Sequence, residues 1–478
     1  MPSDRTKYSC PLGTRYGKDM SGIFSDDFKF QKWRESWIAL AESQYELGLA
    51  GVTKEQVDQL KQFVQNINYD VAEQRERIII HDVMSHVYAF GQQCPDAAGI
   101  IHAGATSCDI TDNAELIQMY AALKIIKRKL VNTIKHVRDF ADMYKALPIL
   151  AFTHYQPAQP TTLGLRASVW LHDLVLDYHQ LLYLESHEKL RGLKGATGTQ
   201  ASFLELADGD ESKVKELNKR FIKKLGFQED FPITTQTYTR KYDSLMLQLL
   251  ACVGESAHKA GTDMRLMQNR KEMEEPFEKE QVGSSAMAYK RNPMRAERMC
   301  SLARDVIGNE TKPRMTSIIQ WFERTLDDSA GRRIYVPQSF IGTDEVLNLY
   351  SNIMERPVVY PKVIERNLMN ELPFLVTENI MMAAVKGGKN RQDVHEAIRQ
   401  HSQEASRRIK EEGKDNQLLE MLANDPRIGM PMAEILIEID VKKFIGRAPS
   451  IVESFLKDVN LILDSERGLL GVKSKVEV

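Results

Sequence analysis

The stretch from Thr111 to Leu147, TDNAELIQMYAALKIIKRKLVNTIKHVRDFADMYKAL, is the main evidence for the fold class. It contains neither glycine nor proline, and its apolar residues recur every three or four positions, which keeps them on one face of an α-helix. They are Leu116, Tyr120, Leu123, Ile126, Leu130, Ile134, Val137, Ala141 and Tyr144. At ~1.5 Å per residue the helix would span roughly 50 Å, a length typical of helices that pack in bundles or across subunits.

Three further stretches have a helical pattern, and strand patterns are scarce. They run from Thr162 to about Arg191, from about Arg240 to Arg270, and onward from near Ala296. Gly254 and Gly261 lie inside the second of these, where an isolated glycine indicates close approach of another helix. The sequence therefore predicts an all-α protein of three helical domains, namely residues 1–110, a central bundle of long helices at 111–360, and 361–478.

The composition describes an ordinary soluble globular chain. Of its 478 residues 42% are hydrophobic and 27% are charged, and the formal net charge is −2. Nucleic acids and anionic membranes need clustered basic charge, so neither is expected as the main partner. No uncharged apolar run approaches the roughly 20 residues of a membrane helix, and the N-terminal MPSDRTKYSC lacks the apolar core of a signal peptide.

The five cysteines include no CxxC pair, so neither a disulfide framework nor a structural zinc site is expected. Reduced thiols are the simplest interpretation, and they predict a cytoplasmic protein.

The segment Gly283–Pro293, GSSAMAYKRNP, combines two serines with cations, an amide and a proline. A loop that leads into a helix offers backbone N–H groups and the positive end of the helix dipole, which suit an anion. Composition alone favours a flexible surface loop. The order of residues, however, is similar to the G-S-S-x-M-P-x-K-x-N-P signature of the superfamily of fumarase, aspartase, argininosuccinate lyase and adenylosuccinate lyase. Ala288 stands where that signature usually has proline, which leaves the loop less restrained in φ.

His154 lies in THYQPAQPT, in a loop-like break between two long helices, where a histidine can act as acid or base near neutral pH. By itself it would be a partly exposed structural histidine. The segment resembles the T-x-x-Q-P-A-Q-P segment of the adenylosuccinate lyases. That resemblance implies that His154 is the general acid and that Thr153 contacts the substrate.

His81 and Asp82 lie in a helical stretch, where a polar helix face is the simplest interpretation. His81 and His86 are five residues apart and do not share a face, so a metal site is not expected there. The matching pair in the resembling family reaches the substrate, which implies the same for His81 and Asp82. Ile80 replaces the basic residue that eukaryotic members often have before this pair.

The segment GATSCDITDN, residues 104–113, opens the longest helix, and Thr111 or Asp112 is expected to cap it. It resembles the G-x-T-S-x-D-x-x-D-N region of the family. That resemblance implies that Thr106 and Ser107 bind a carboxylate of a succinyl group.

The segment TLDDSAGRRIYVP, residues 325–337, follows an arginine and contains two more, which suit bidentate binding of a phosphate. Arginines paired with Asp327 and Asp328 explain it equally well. This segment and PLGTRYG near the N-terminus resemble the phosphate contacts of the adenylosuccinate lyases, whereas the substrates of fumarase and aspartase carry no phosphate. The implied phosphate-binding residues are Arg15, Tyr16, Arg324, Ser329 and Arg333.

Together the resemblances imply β-elimination of fumarate from adenylosuccinate, giving AMP, and from the succinylaminoimidazole carboxamide ribotide of purine biosynthesis. Ser284 would be the base, with Ser285 beside it, provided that its surroundings lower the pKa of its hydroxyl. Lys290 and Asn292 would hold the carboxylates and stabilise the developing charge. Further substrate contacts are implied at Gln236 and Arg298. No metal ion or organic cofactor is implied.

The resemblance also implies a homotetramer in which each active site draws residues from three subunits, and the stripe from Leu116 to Tyr144 would fit such packing. Small nucleotide substrates are the other partners implied. Two alternatives are another lyase of the superfamily, such as argininosuccinate lyase, and a non-catalytic helical scaffold that retains the fold. The phosphate-type arginines argue against the first, and the intact Ser284, Lys290, Asn292 and His154 argue against the second.

Overall fold

A computed structural model describes residues 6–439 and 441–474. Within these ranges the chain forms twenty α-helices and four short strands, so the predicted all-α fold is confirmed. The N-terminal helices are α1 (Pro11–Thr14), α2 (Lys18–Ser21), α3 (Asp26–Glu46), α4 (Lys54–Gln62), α5 (Tyr69–Ile79) and α6 (Asp82–Gln93). The central helices are α7 (Ser107–Met143), α8 (Leu163–Glu185), α9 (Ala201–Leu206), α10 (Glu211–Lys224), α11 (Lys241–Asn269), α12 (Met294–Asn309), α13 (Thr311–Ile318) and α14 (Asp327–Glu355). The C-terminal helices are α15 (Pro361–Leu375), α16 (Thr377–Lys386), α17 (Arg391–Glu412), α18 (Leu418–Ala423), α19 (Met432–Glu438) and α20 (Ala448–Ser465).

The longest helix, α7, begins four residues before the quoted stretch because its first turn is capped at Thr106. The backbone N–H of Thr106 donates to Asp109 Oδ2 at 2.8 Å, which satisfies a group that the helix leaves unpaired. The prediction that Thr111 or Asp112 caps the helix is therefore wrong. Asp112 is instead buried in the interior of the fold, where its carboxylate forms an ion pair with Arg240.

The apolar stripe of α7 faces the interior of its own chain. Leu116, Ile126, Leu130 and Ile134 are all fully buried, against neighbouring helices of one bundle that also contains α8, α11, α12 and α14. Burial of this face is what holds so long a helix in place, since most helical stability in proteins comes from packing. The stripe therefore cannot be the surface that joins subunits, contrary to the interpretation offered from the sequence.

The glycines of α11 allow α12 to approach closely, as predicted. A Cβ atom added at Gly261 would lie 2.7 Å from Cys300 Sγ, and one at Gly254 would lie 3.3 Å from the carbonyl oxygen of Ala303. Both neighbours belong to α12. Close packing of α11 against α12 matters for function because α12 begins directly after the Gly283–Pro293 segment.

The break between α7 and α8 is a β-hairpin rather than the loop expected from the sequence. Strand β1 (Pro148–Thr153) pairs antiparallel with β2 (Gln156–Thr162), and Thr153 lies opposite Gln156. The two residues between them, His154 and Tyr155, have φ angles of 52° and 57°, the left-handed values of a type I′ turn. The second pair of strands, β3 (Met273–Glu274) and β4 (Val358–Val359), is shorter still.

Buried apolar side chains form three clusters. One contains Trp33 and Trp37 and extends to Ala114, one lies between Leu372 and Ile439, and the largest occupies the long-helix bundle. The division into domains at residues 110 and 360 stays a prediction, and the outermost residues of its first and last domains lie outside the described ranges. Among the helices described, none is long and apolar enough to cross a membrane.

Candidate active site

The predicted site residues lie in separate places on the chain. The segment Gly283–Pro293, called the signature loop from here on, lies between α11 and α12. The hairpin turn, His154–Tyr155, lies between β1 and β2. A third set, called the polar cluster, lies at or near the N-terminal ends of α6, α7, α11 and α14 and consists of His81, Asp82, Thr106, Ser107, Gln236, Arg324, Ser329 and Arg333.

The signature loop is closed on itself. Asn292 Nδ2 donates to the carbonyl oxygen of Gly283 at 2.8 Å, and the N–H of Lys290 donates to the carbonyl oxygen of Met287 at 3.0 Å. Gly283 is buried beneath the Lys290 carbonyl, so a side chain at that position would collide with it. The loop therefore holds Ser284 at a fixed place between Gly283 and the exposed Lys290.

The hydroxyl of Ser284 is an acceptor of backbone hydrogen bonds. The N–H groups of Met287 and Ala286 approach its Oγ at 3.2 Å and 3.4 Å. Donors aimed at an oxygen stabilise negative charge on it. Ser285 makes no such contact among the described residues, and its side chain is exposed. The geometry thus distinguishes the two serines, which the sequence could not do.

The N-terminus of α12 is already occupied by a carboxylate, which corrects the expectation that it is open to a substrate anion. Glu275 accepts hydrogen bonds from the N–H groups of Arg295 and Ala296, each at 3.0 Å. Burial raises the pKa of Glu275, and these two backbone donors oppose that effect. The dipole of α12 therefore stabilises the negative charge of the Glu275 carboxylate.

Three of the residues expected to contact substrate meet beside α12. The guanidinium of Arg298 lies over the ring of Tyr16, with 5.4 Å from Cζ to the ring centroid, and Arg15 approaches the same ring at 6.0 Å. Arg15 and Tyr16 also line a cavity of about 410 Å³ between α7 and α14. A cation stacked on an aromatic face is held in place without losing its charge.

The hairpin turn presents His154 to solvent. Thr153, His154 and Tyr155 are exposed, and the imidazole of His154 has no hydrogen-bond partner in the part of the chain that the structure describes. Two non-glycine residues at positive φ store backbone strain, which typically persists at functional sites. No carboxylate of the described chain contacts His154, so the partner expected for a general acid is not found within one chain.

In the polar cluster, His81 and Asp82 start α6. His81 Nδ1 accepts the N–H of Met84 at 3.3 Å, which makes this histidine the helix cap. Asp82 Oδ2 pairs with Arg333 of α14 at 3.0 Å, an ion pair that joins two of the predicted binding residues. The interpretation of these residues as a simple polar helix face is therefore incomplete.

Gln236 and Arg324 are held side by side by the main chain. The N–H of Gln236 donates to the carbonyl oxygen of Glu323 at 3.2 Å, and Arg324 Nη1 pairs with Asp328 Oδ2 at 2.9 Å. The alternative in which the arginines pair with neighbouring aspartates thus holds for Arg324. The Arg324 side chain remains 20% exposed, however, so its guanidinium reaches the surface.

The sequence did not reveal the buried ion pairs beneath the polar cluster. Asp328 also accepts from Arg240 Nε at 2.8 Å, and Arg240 Nη2 pairs with Asp112 Oδ1 at 3.0 Å. Burial by itself raises the pKa of Asp112, but Arg240 and Arg332 outweigh it and hold that pKa below its usual value. The sequence places Asp327 and Asp328 close to Arg324, which indicates an ion pair, but it does not show which of the two aspartates is buried.

One chain does not bring all these residues together. The polar cluster includes Gln236, just before α11, whereas Gln268 in the last turn of α11 donates to the carbonyl oxygen of Arg291 in the signature loop. At ~1.5 Å per residue, the length of α11 separates the two by roughly 40 Å. That distance exceeds the reach of any small substrate.

Metal-binding chemistry has no candidate site in the described ranges, where no group of three or more His, Cys, Asp or Glu side chains could hold an ion. All five cysteines are free thiols.

Residues 16–308 match the family described as Lyase, the class that the helical bundle and the signature loop define, and residues 373–455 match the family described as Adenylosuccinate lyase C-terminus. The 3-carboxy-cis,cis-muconate lactonizing enzyme from Pseudomonas putida shares the fold with a TM-score of 0.82, at 21% identity over 95% of this chain and 99% of that one.

Two full-length relatives then give the particular family. The chain is 46% identical to adenylosuccinate lyase of Schizosaccharomyces pombe over 99% of each chain. It is 49% identical to adenylosuccinate lyase of Saccharomyces cerevisiae over 96% of each chain. The chain belongs to the adenylosuccinate lyase family.

Proposed function

We propose that this protein cleaves adenylosuccinate to AMP and fumarate, and the succinylaminoimidazole carboxamide ribotide to the corresponding ribotide and fumarate. The observation that carries the proposal is membership of the adenylosuccinate lyase family along nearly the whole chain. The same relatives favour this activity over that of argininosuccinate lyase and over a non-catalytic scaffold.

The reaction is a β-elimination without net oxidation or reduction. A base removes a proton from the succinyl carbon beside a carboxylate, and the electron pair of that C–H bond becomes the double bond of fumarate. The C–N bond breaks, and the departing nitrogen keeps its electron pair and takes a proton from an acid. Each proton transfer needs a group within hydrogen-bonding reach of the reacting atom.

Ser284 is the base in this proposal. Its hydroxyl must lose a proton near neutral pH, which an isolated serine does not do. The two N–H groups that point at its Oγ support the role because they stabilise the alkoxide. Lys290 and Asn292 of the same loop bind the succinyl carboxylates and stabilise the charge that develops on them.

His154 is the acid. Its place at the tip of a two-residue turn, exposed and unpaired within the described chain, supports donation of a proton to a nitrogen that arrives from outside the chain. Thr153 precedes it and contacts the substrate. A carboxylate from another copy of the chain orients the imidazole in the assembled enzyme.

The polar cluster binds the rest of the substrate. Thr106 and Ser107 at the start of α7 hold a succinyl carboxylate, with His81, Asp82 and Gln236 beside the substrate. Arg324, Ser329 and Arg333 at the start of α14 bind the phosphate, together with Arg15 and Tyr16, and Arg298 contacts the substrate from α12. Guanidinium groups suit this because they bind oxyanions through two parallel hydrogen bonds.

The enzyme works as a homotetramer with active sites shared between subunits. The separation of roughly 40 Å along α11 supports sharing, since only a second copy can bring the signature loop to a polar cluster. A surface for this packing lies on α8, where Val169, Leu176 and Tyr183 are about half exposed at seven-residue spacing. Exposed apolar residues at heptad spacing are typical of helix–helix interfaces. Free thiols support a cytoplasmic location.

The test is absorbance-monitored cleavage of adenylosuccinate by the purified protein, with Ser284→Ala and His154→Ala alongside. Formation of AMP and fumarate by the wild type, with kcat lower by several orders of magnitude in both variants, supports the activity and the acid–base pair. Cleavage of argininosuccinate instead would move the activity to the neighbouring family. Inactivity toward adenylosuccinate, the succinylaminoimidazole carboxamide ribotide and argininosuccinate would favour the non-catalytic scaffold.

A further inference from the structure

Asp328 lies at the point where the phosphate-binding part of the polar cluster meets the buried core. Its Oδ2 atom accepts a hydrogen bond from Arg324 Nη1 at 2.9 Å and another from Arg240 Nε at 2.8 Å. The Asp328 side chain is fully buried, Arg240 is almost so, and Arg324 alone reaches the surface. One carboxylate oxygen thus connects a surface guanidinium to a buried one.

We propose that Asp328 is a positioning residue that aims Arg324 at the phosphate of the nucleotide substrate. This inference rests on the proposed function. Asp328 itself does not touch the substrate. It binds Nη1 of the Arg324 guanidinium, whereas Nε and Nη2 have no hydrogen-bond partner among the described residues and can donate to two oxygens of a phosphate.

The charges explain why the position depends on Asp328. Two guanidiniums that donate to the same oxygen are close enough to repel one another, and the carboxylate between them offsets that repulsion. Without it, Arg240 keeps Asp112, its other partner, at 3.0 Å. Arg324 makes no other ion pair among the described residues, so it would turn toward solvent.

The same contacts connect the two ends of the binding site. Asp112 lies in α7, near the start that carries Thr106 and Ser107, and its Oδ2 accepts the N–H of Tyr238 at 3.1 Å. The ring of Tyr238 lies under the Arg240 guanidinium at 4.5 Å. Asp328 therefore fixes Arg324 relative to the groups proposed to bind the succinyl carboxylate.

The experiment compares Asp328→Asn with Asp327→Asn, which makes the same chemical change at the exposed neighbouring residue in the first turn of α14. AMP and fumarate are used as product inhibitors of adenylosuccinate cleavage. We expect Asp328→Asn to raise the inhibition constant for AMP about tenfold, because a charge-assisted hydrogen bond orienting Arg324 is lost. The inhibition constant for fumarate should stay unchanged, and Asp327→Asn should behave as the wild type.

A merely structural role predicts a different pattern. If Asp328 were merely structural, Asp328→Asn would raise the inhibition constants for AMP and fumarate together. Its effect would also add to that of Arg324→Ala in the double variant. In the Arg324→Ala background we expect Asp328→Asn to cause no further loss of AMP affinity, since the group that it orients is gone. Should Asp328→Asn not fold, Asp328→Glu keeps the charge but displaces it by one methylene. This variant is also expected to raise the inhibition constant for AMP and not that for fumarate.

Equal effects on AMP and fumarate, or AMP inhibition as strong in the Asp328 variants as in Asp327→Asn, would overturn the inference. A wild-type protein that does not cleave adenylosuccinate would instead contradict the proposed function. The two failures are therefore distinguishable.

Discussion

Asn292 closes the signature loop by donating a hydrogen bond from Nδ2 to the carbonyl oxygen of Gly283, 2.8 Å away and nine residues earlier in the chain. The contact explains why an asparagine and a glycine belong to one motif. It draws the two ends of the loop together around Ser284, whose hydroxyl then meets the N–H groups of Ala286 and Met287. This one hydrogen bond therefore links the order of residues in the motif to the position of Ser284.

Gly283→Ala is expected to lower kcat on the order of 10- to 100-fold, because the new Cβ would collide with the Lys290 carbonyl and displace Ser284. The matched control is Gly308→Ala in α12, where an added Cβ meets no atom within 4 Å. Steady-state kinetics and thermal unfolding would be measured on both. Equal kcat in the two variants would show that the closed loop is not needed for turnover.

Tyr16→Leu is expected to give a KM about two- to fivefold higher than Tyr16→Phe, because only the phenylalanine keeps an aromatic face under Arg298. The comparison separates the ring from the hydroxyl, which both variants lack. Initial rates at varied adenylosuccinate provide the measurement. If the two variants share one KM, the stacking of Arg298 on Tyr16 contributes nothing to substrate binding.

Asp177→Asn is expected to stabilise the protein, and more so at high pH. Asp177 of α8 is buried and accepts from Ser256 Oγ at 2.7 Å, and burial raises its pKa to about 7. The unfolded chain binds this proton more weakly, with a pKa near ~3.9, so ionisation destabilises the folded state increasingly as the pH rises from about 4 to about 7.

Asparagine removes that cost, and its gain at pH 8 should exceed its gain at pH 5 by on the order of 2 kcal/mol. Chemical denaturation at both pH values measures the free energies of unfolding. Asp58→Asn, at an exposed position of α4 far from Asp177 in the sequence, is the control. A gain for Asp177→Asn that does not change with pH would rule out this linkage.

The helices were predictable because their information is local. Spacing of three and four residues between Leu116 and Ala141 needs a buried face, and the structure buries it. What the spacing could not tell is which neighbour covers that face. The stripe on α7 packs inside its own chain, while the exposed apolar residues at seven-residue spacing, such as Leu176, lie on α8.

The hairpin was not predictable from local signals. Its turn uses His154 and Tyr155 where a type I′ turn usually has asparagine and glycine, and three prolines lie in its two strands. Both features argue against a hairpin, and they are tolerated because each strand has only one partner. A turn held against its own propensity is where a site is expected.

The ion pairs beneath the polar cluster depend on contacts distant in sequence. Arg240 lies 128 residues from Asp112 and 88 from Asp328, and nothing in a single sequence connects them. The resemblance to a family predicted which surface residues bind the substrate. The buried residues that hold them in place became visible only in the structure.

We propose that the active sites shared between copies combine Ser284 of one copy with His154 of another. Ser284→Ala and His154→Ala, each inactive alone, would be unfolded, mixed in equal amounts and refolded together, and the cleavage of adenylosuccinate measured. The claim predicts that activity returns to about one quarter of the wild-type value, since random mixing gives that share of sites an intact pair. A mixture as inactive as its components would mean that both residues act within one chain, and would overturn the proposal.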